Sequence, residues 1–177
     1  HYQFETIHPF EDGNGRLGRI LITLMLMDRR VLTRPLLYLS VFLRRHRGEY
    51  YSWLGRVRDD GDYEGWLEFF LRGVREVAFE ATETVGRVLT MRSEHLSLVQ
   101  SGSASRFAPT FLEELLMAPA VTAKSAAERL GVSYPTANNL IADFVELGLL
   151  REITGGRRNR VFLYQPYLDE LGGSFEP

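Results

Sequence analysis

The segment His8-Pro9-Phe10-Glu11-Asp12-Gly13-Asn14-Gly15-Arg16-Leu17-Gly18-Arg19 gathers side chains that suit one kind of chemistry. Gly13, Gly15 and Gly18, three glycines within six residues, let the backbone come close to a ligand. Their amides, at or near a helix N-terminus, form a nest for phosphate oxygens. Arg16 and Arg19 stand three apart, on one helical face, and both reach a single anion. Asp12 supplies a hard oxygen ligand for a divalent metal bound to such phosphates. His8 is the nearby side chain that takes a proton near neutral pH. Base, metal ligand, nest and two guanidiniums together point to phosphoryl or nucleotidyl transfer.

Two other motifs overlap the same residues. Gly13-x-Gly15-x-x-Gly18 has the glycine spacing of a dinucleotide site, which needs a preceding strand and a βαβ unit. Here Pro9 precedes it and a helical pattern follows. The interval from Gly13 to Gly18 also fits a P-loop, yet Arg19-Ile20 stands where Lys and Ser/Thr are required. Both fail on context.

His8 to Arg19 resembles the HPFx(D/E)GNGRxxR signature of Fic-domain proteins at each fixed position, and His1 to Ile7 resembles their lead-in. The likeness continues through Arg45-His46-Arg47-Gly48-Glu49-Tyr50-Tyr51 and Gly65-Trp66-Leu67-Glu68-Phe69-Phe70. The C-terminal part is similar to the winged helix often attached to bacterial Fic proteins. This resemblance implies a protein adenylyltransferase that uses ATP and Mg²⁺ to place AMP on a Ser, Thr or Tyr hydroxyl of a target protein. Some relatives transfer other phosphate-containing groups. The resemblance implies His8 as base, Asp12 as the Mg²⁺ ligand, Gly13, Asn14 and Gly15 as the anion hole, and Arg16 on phosphate. Gly18 joins the nucleotide-binding set, and Tyr51 falls where the family contacts the base. Arg19 contacts the terminal phosphate or pairs with an inhibitory glutamate. A bacterial, cytoplasmic homodimer is the expected setting. The family's helices before the motif, its β-hairpin flap and its (S/T)xxxE(G/N) regulatory helix have no counterpart here. With His1 in place of an initiator Met, a fragment that is inactive alone is expected.

The elements that must hold this segment read as helices. Ile20, Leu21, Leu24, Met25, Met27, Val31 and Leu32 wrap most of a helix, so a central, buried one is expected. Thr33-Arg34-Pro35 interrupts it. Leu36 to Arg47 and Tyr50 to Arg58 are helical, and Asp59-Asp60-Gly61-Asp62 is a turn. From Trp66 to Leu89 a three-four spacing persists. Arg44-Arg45-His46-Arg47 reads as a solvated helix face, and Trp66, Phe69 and Phe70 as core. The small polar run from Gln100 to Ser105 marks a boundary. The expected organisation is residues 1–99 as the C-terminal part of a Fic catalytic domain, 100–109 as linker and 110–177 as a winged helix-turn-helix. The fold class is mainly α: a partial Fic-type helical bundle, then that module with a small β-hairpin.

In the last part, Thr110 to Met117, Ala123 to Leu130 and Ser133 to Gly148 read as helices, with Thr122 and Ser133 as caps and Gly131 as a stop. Leu149 to Ile153 and Val161 to Tyr164 are β-prone. Asn138 and Asn139 suit adenine edges, and Arg157, Arg158 and Arg160 suit phosphate. From Thr110 onward, however, six basic residues face nine acidic ones, a net −3. That sign opposes backbone-driven DNA binding, so protein contact is favoured over DNA. The alternative reading is a DNA-binding regulator with a nucleotide-sensing or inactive core. The whole chain, at 177 residues, carries 21 Lys+Arg against 23 Asp+Glu and no cysteine. That leaves out disulfide and thiolate chemistry and Cys-based zinc sites. Its most apolar run, Ile20 to Met27, falls far short of the roughly 20 residues of a membrane span.

Overall fold

Helix α1 (Tyr2–Ile7) stops ahead of Pro9, and α2 (Asn14–Asp28) starts once the glycine-rich loop has turned. The computed structural model describes residues 1–35, 38–156 and 159–172. It is mainly helical and divides into two compact units, His1–Thr82 and Glu83–Pro177.

In the first unit α3 (Leu39–Arg45) and α4 (Arg47–Asp60) meet at His46, the C-cap of one and N-cap of the other. The two expected stretches, Leu36 to Arg47 and Tyr50 to Arg58, are therefore divided at His46 and not at Gly48, and Leu36 itself lies outside the described residues. Gly61, at φ 70°, closes α4. Asp62 then accepts the Gly65 amide at 3.0 Å, opening α5 (Tyr63–Gly102). Ile22, Phe42, Leu43, Val57, Trp66 and Phe69 form the core, so the aromatic cluster packs as read.

Helix α2 departs from expectation. It ends at Asp28, and only Asn14, Gly18 and Ile22 among its residues are buried. Ile20, Leu24 and Met25 are 53, 55 and 49% exposed. Ile22 faces the core with Leu26 packed beside it, and no described element covers the opposite side. The apolar circumference of α2 exceeds what this unit buries.

The 40-residue α5 crosses the division between the units. Residues 100–102, expected in a linker, form its last turn: Val99 is fully buried, and Gly102 lies against Leu147. After it come α6 (Ala108–Met117), β1 (Ala120–Val121), α7 (Ala123–Leu130), α8 (Tyr134–Glu146), β2 (Arg151–Glu152), β3 (Phe162–Leu163) and α9 (Gln165–Glu170). Thr122 and Ser125 form a reciprocal capping box on α7, and Gly131 ends it at φ 64°. The Ser133 hydroxyl accepts the Thr136 amide at the start of α8. The hairpin is the expected one, and β1 adds a third strand in the antiparallel order β1-β3-β2. Phe111, Leu112, Leu115, Leu140, Ile141 and Phe144 fill this second core. Among the described residues no helix is long and apolar enough to cross a membrane.

Candidate active site

Two short-range devices fix the glycine-rich loop. The first is Asn14, 2% exposed, whose side chain accepts the Phe10 amide at 2.9 Å and donates to the Phe10 carbonyl at 2.5 Å. The second is close approach of α1 to α2 at Gly18. A Cβ there would sit 2.1 Å from Glu5 Oε1 and 3.2 Å from Phe4 Cδ1, so a side chain would push α1 away. His1 reinforces this contact, its Nδ1 donating to the Gly18 carbonyl and its Nε2 accepting the Tyr50 hydroxyl, each at 3.0 Å. Burial first, then the negative charge of Glu5, pushes the Tyr50 hydroxyl well above its ordinary range. It therefore keeps the proton it donates to His1.

His8 caps α1 in the left-handed region at φ 50° and ψ 58°, its amide bonded to the Phe4 carbonyl at 3.0 Å. Its Nδ1 lies 3.3 Å from the Glu5 carbonyl oxygen, which can only accept. Nδ1 is thus the donor of this contact, and Nε2, on an exposed ring, has no hydrogen-bond partner among the described residues. Gly13 turns the chain at φ 84° into α2, where no side chain caps the helix. The amides of Asn14, Gly15 and Arg16 in that first turn have no intrahelical partner. Asp12 accepts the Gly13 amide at 2.6 Å through Oδ1, and Oδ2 lies 3.5 Å from Arg16 Nη2. Both side chains are largely exposed, so this ion pair is weak and gives way to a ligand.

His8, Asp12, Gly13, Asn14, Gly15, Arg16, Arg19 and Tyr51 line one cavity of about 780 Å³. Gly18 does not line it, because Gly18 is spent on packing α1. Asn14 contributes its backbone to the helix start, its amide group being engaged with Phe10. Ser40, Leu43, Arg44, Arg47 and Tyr50 also line the cavity. Arg44 and Arg47 are exposed, as read, and also line this cavity, whereas Arg45 points elsewhere, pairing with Glu80 at 2.6 Å. The three-residue spacing of Arg44 and Arg47, with Tyr51 four further on, was the available signal. The Arg47 guanidinium lies 5.6 Å from the centre of the Tyr51 ring.

In the second unit Asn139 is exposed on α8 and Asn138 is half-buried. Arg160 pairs with Glu152 at 3.5 Å and lies over Phe162. Arg157 and Arg158 lie outside the described residues.

Residues 1–26 match the family model of the Fic/DOC family. The chain is 38% identical over 69 residues to "Protein adenylyltransferase Fic" of Aedes aegypti, covering 39% of this chain and 12% of that protein. It is 31% identical over 122 residues to the protein of the same name from Drosophila mojavensis, covering 58% of this chain and 23% of that protein. A "Probable protein adenylyltransferase" of Aquifex aeolicus is 56% identical over 32 residues, 18% of this chain and 10% of that protein. The chain thus spans between about a tenth and a quarter of the length of these curated relatives. These matches support membership of the Fic-domain family.

Proposed function

We propose that this Fic-domain chain carries the catalytic loop of a protein adenylyltransferase, moving AMP from ATP to a Ser, Thr or Tyr hydroxyl of a target protein. The observation that carries the reading is the gathering of His8, Asp12, the open first turn of α2, Arg16 and Arg19 in one cavity. His8 Nε2 removes the proton as the hydroxyl oxygen bonds to the α-phosphorus; the bond to the β-phosphate oxygen breaks and pyrophosphate leaves. Negative charge grows on phosphoryl oxygens during this step. The fixed amides of the first turn of α2 and the guanidiniums beside them stabilise it. Arg16 serves the nearer phosphates and Arg19 the terminal one, while Tyr51 faces the base.

Among the described residues no cluster of three or more His, Asp or Glu groups could cage a metal. Asp12 alone, 95% exposed beside the nest, fits Mg²⁺ instead, which takes one or two carboxylates and fills its shell with phosphate oxygens and water. Bound there, Mg²⁺ would neutralise phosphate charge. Residues 1–99 belong to the catalytic part in this reading, and 110–177 form a winged helix-turn-helix, for which the order α6-β1-α7-α8-β2-β3 speaks. That module serves protein contact, including a homodimer, before DNA: α8 has no Lys or Arg, and Arg160 is already paired with Glu152.

The test is transfer of labelled AMP from ATP with Mg²⁺, by this chain and by an upstream-extended form, each beside His8→Ala. Labelling that His8→Ala removes, with ATP binding kept, is expected. Labelling that survives His8→Ala would overturn His8 as base, and absence of nucleotide binding in both forms would overturn the enzyme.

A further inference from the structure

Three guanidiniums of the cavity, Arg19, Arg44 and Arg47, have no carboxylate within 4.0 Å among the described residues. Among the described residues, four of the eight arginines elsewhere in this unit are ion-paired: Arg29 with Asp28, Arg45 with Glu80, Arg58 with Asp59 and Arg72 with Glu49, at 4.0, 2.6, 2.9 and 2.7 Å. Arg19 rises from α2 beside the nest and is accounted for by phosphate. Arg44 and Arg47 come from a different place, the last turn of α3 and the first residue of α4, bracketing the corner at His46. Both are exposed, and Arg47 lies over Tyr51, the base contact of the proposed reaction.

Through Tyr51 the charge of Arg47 stands with the nucleoside end of the site, and Arg44 lines the same cavity from the preceding helix. Near the nest, Glu11 and Asp12 offset Arg16 and Arg19, and a Mg²⁺-bound nucleotide adds its own negative charge there. The base and ribose of a nucleotide beside Tyr51 are uncharged and do not meet Arg47 or Arg44 at the α3–α4 corner. The other participant in the reaction, a protein segment arriving from solvent to present its hydroxyl to His8, can.

We propose that Arg44 and Arg47 select the acceptor, and that the acceptor is an acidic protein segment. This rests on the adenylyltransferase reading. A cavity of 780 Å³ is about 9 Å across, so at about 3.3 Å per extended residue the carboxylates lie within about three positions of the hydroxyl. Exposed charge pairs of this kind are individually weak, and two of them amount to about a fivefold preference at low salt. Their effect falls as the screening length shortens to about 10 Å at 0.1 M salt.

The experiment uses the 177-residue chain and three fluorescent peptides around one serine, flanked by Glu, by Gln or by Lys, with binding read by anisotropy. The Glu peptide is expected to bind about fivefold more tightly than the Gln peptide, with the Lys peptide weakest. R44A/R47A is expected to erase the difference, R44K/R47K to keep most of it, and Arg45→Ala to keep all of it. Equal binding of the Glu and Gln peptides overturns the inference, as does a preference that survives R44A/R47A. An oligothymidine that binds as tightly, with the same dependence on Arg44 and Arg47, overturns it in favour of a nucleic-acid surface. The same peptides then serve as acceptors of labelled AMP. Transfer without preference for Glu leaves the adenylyltransferase standing and ends this inference; Glu-selective binding with no transfer by this chain or the upstream-extended form ends the adenylyltransferase and leaves a site for acidic peptides that is not an acceptor site.

Discussion

Removing the side chain of Asn14 tests whether the loop is held as described. In Asn14→Ala the Phe10 amide and carbonyl lose partners at 2.9 and 2.5 Å, in a place where Asn14 itself is 2% exposed. A neutral hydrogen bond contributes about 0.5–1.5 kcal/mol net, and a stranded buried partner costs about 1–3 kcal/mol. Both bonds are only partly buried, so water recovers some of that, and the expected loss is about 2–3 kcal/mol. Asn14→Asp sharpens the test. Its carboxylate still accepts from the Phe10 amide, but its second oxygen now faces the Phe10 carbonyl. Only the protonated acid can donate to that carbonyl, so its pKa in the folded chain rises above the unfolded value of about 3.9. The folded variant then binds more protons than the unfolded one, and its stability relative to the parent falls as pH rises through that range. The chain's two tryptophans, Trp53 and Trp66, both lie in the first unit, so urea unfolding followed by tryptophan fluorescence reads this unit directly. An Asn14→Ala midpoint equivalent to less than about 0.5 kcal/mol of loss would refute the clamp. So would an Asn14→Asp deficit as large at pH 5 as at pH 8.

The same fluorescence distinguishes two glycines. Gly18→Ala should cost about 1–3 kcal/mol by forcing α1 off α2, and should lower AMP transfer with it. Gly55→Ala, within α4 and with open space where its Cβ would be, should instead stabilise by about 0.5–1 kcal/mol. In the second unit, Thr122→Ala removes a capping box and should cost about 1 kcal/mol, seen as faster hydrogen exchange at the Ser125 amide. Burial lowers the pKa of His95 from 6.5 and raises that of Tyr164, whose hydroxyl is 2.6 Å from His95 Nδ1. Below its ordinary value the unfolded histidine binds a proton that the folded one resists; above pH 10 the unfolded tyrosine loses one that the folded side chain keeps. Stability of this unit should therefore fall as pH drops through 6.5 and again as it rises past 10, with the acid arm absent in His95→Gln when circular dichroism follows unfolding.

Local signals carried much of this architecture. Thr122, Gly131 and Ser133 bound α7 and α8 where their cap chemistry says they should, and Gly61 ends α4. That the loop from His8 to Arg19 forms one site lining was legible because its residues are gathered at short range in the chain. What did not read through depends on neighbours distant in sequence. The apolar girdle of α2 predicted burial, but burial needs something on both sides, and periodicity records only one helix. Gly18 looked like one more phosphate glycine, and only the approach of Phe4 and Glu5 reveals it as a packing position. Arg44 and Arg47 looked like solvent charges because nothing in an isolated helix says that a cavity opens beside it.

The left-handed backbone of His8 carries a cost that no other residue of the loop shares. It is a β-carbon-bearing residue at φ 50°, and Pro9 behind it favours extended conformations at this position. Such a backbone costs about 1–3 kcal/mol, held in place by the cap to Phe4 and the imidazole contact with Glu5. Glycine would adopt the same turn without that cost. His8→Gly should thus unfold at a higher urea concentration than the parent while transferring nothing. Selection for folding alone would remove this histidine, so in the adenylyltransferase reading its presence trades durability for reactivity at a single position.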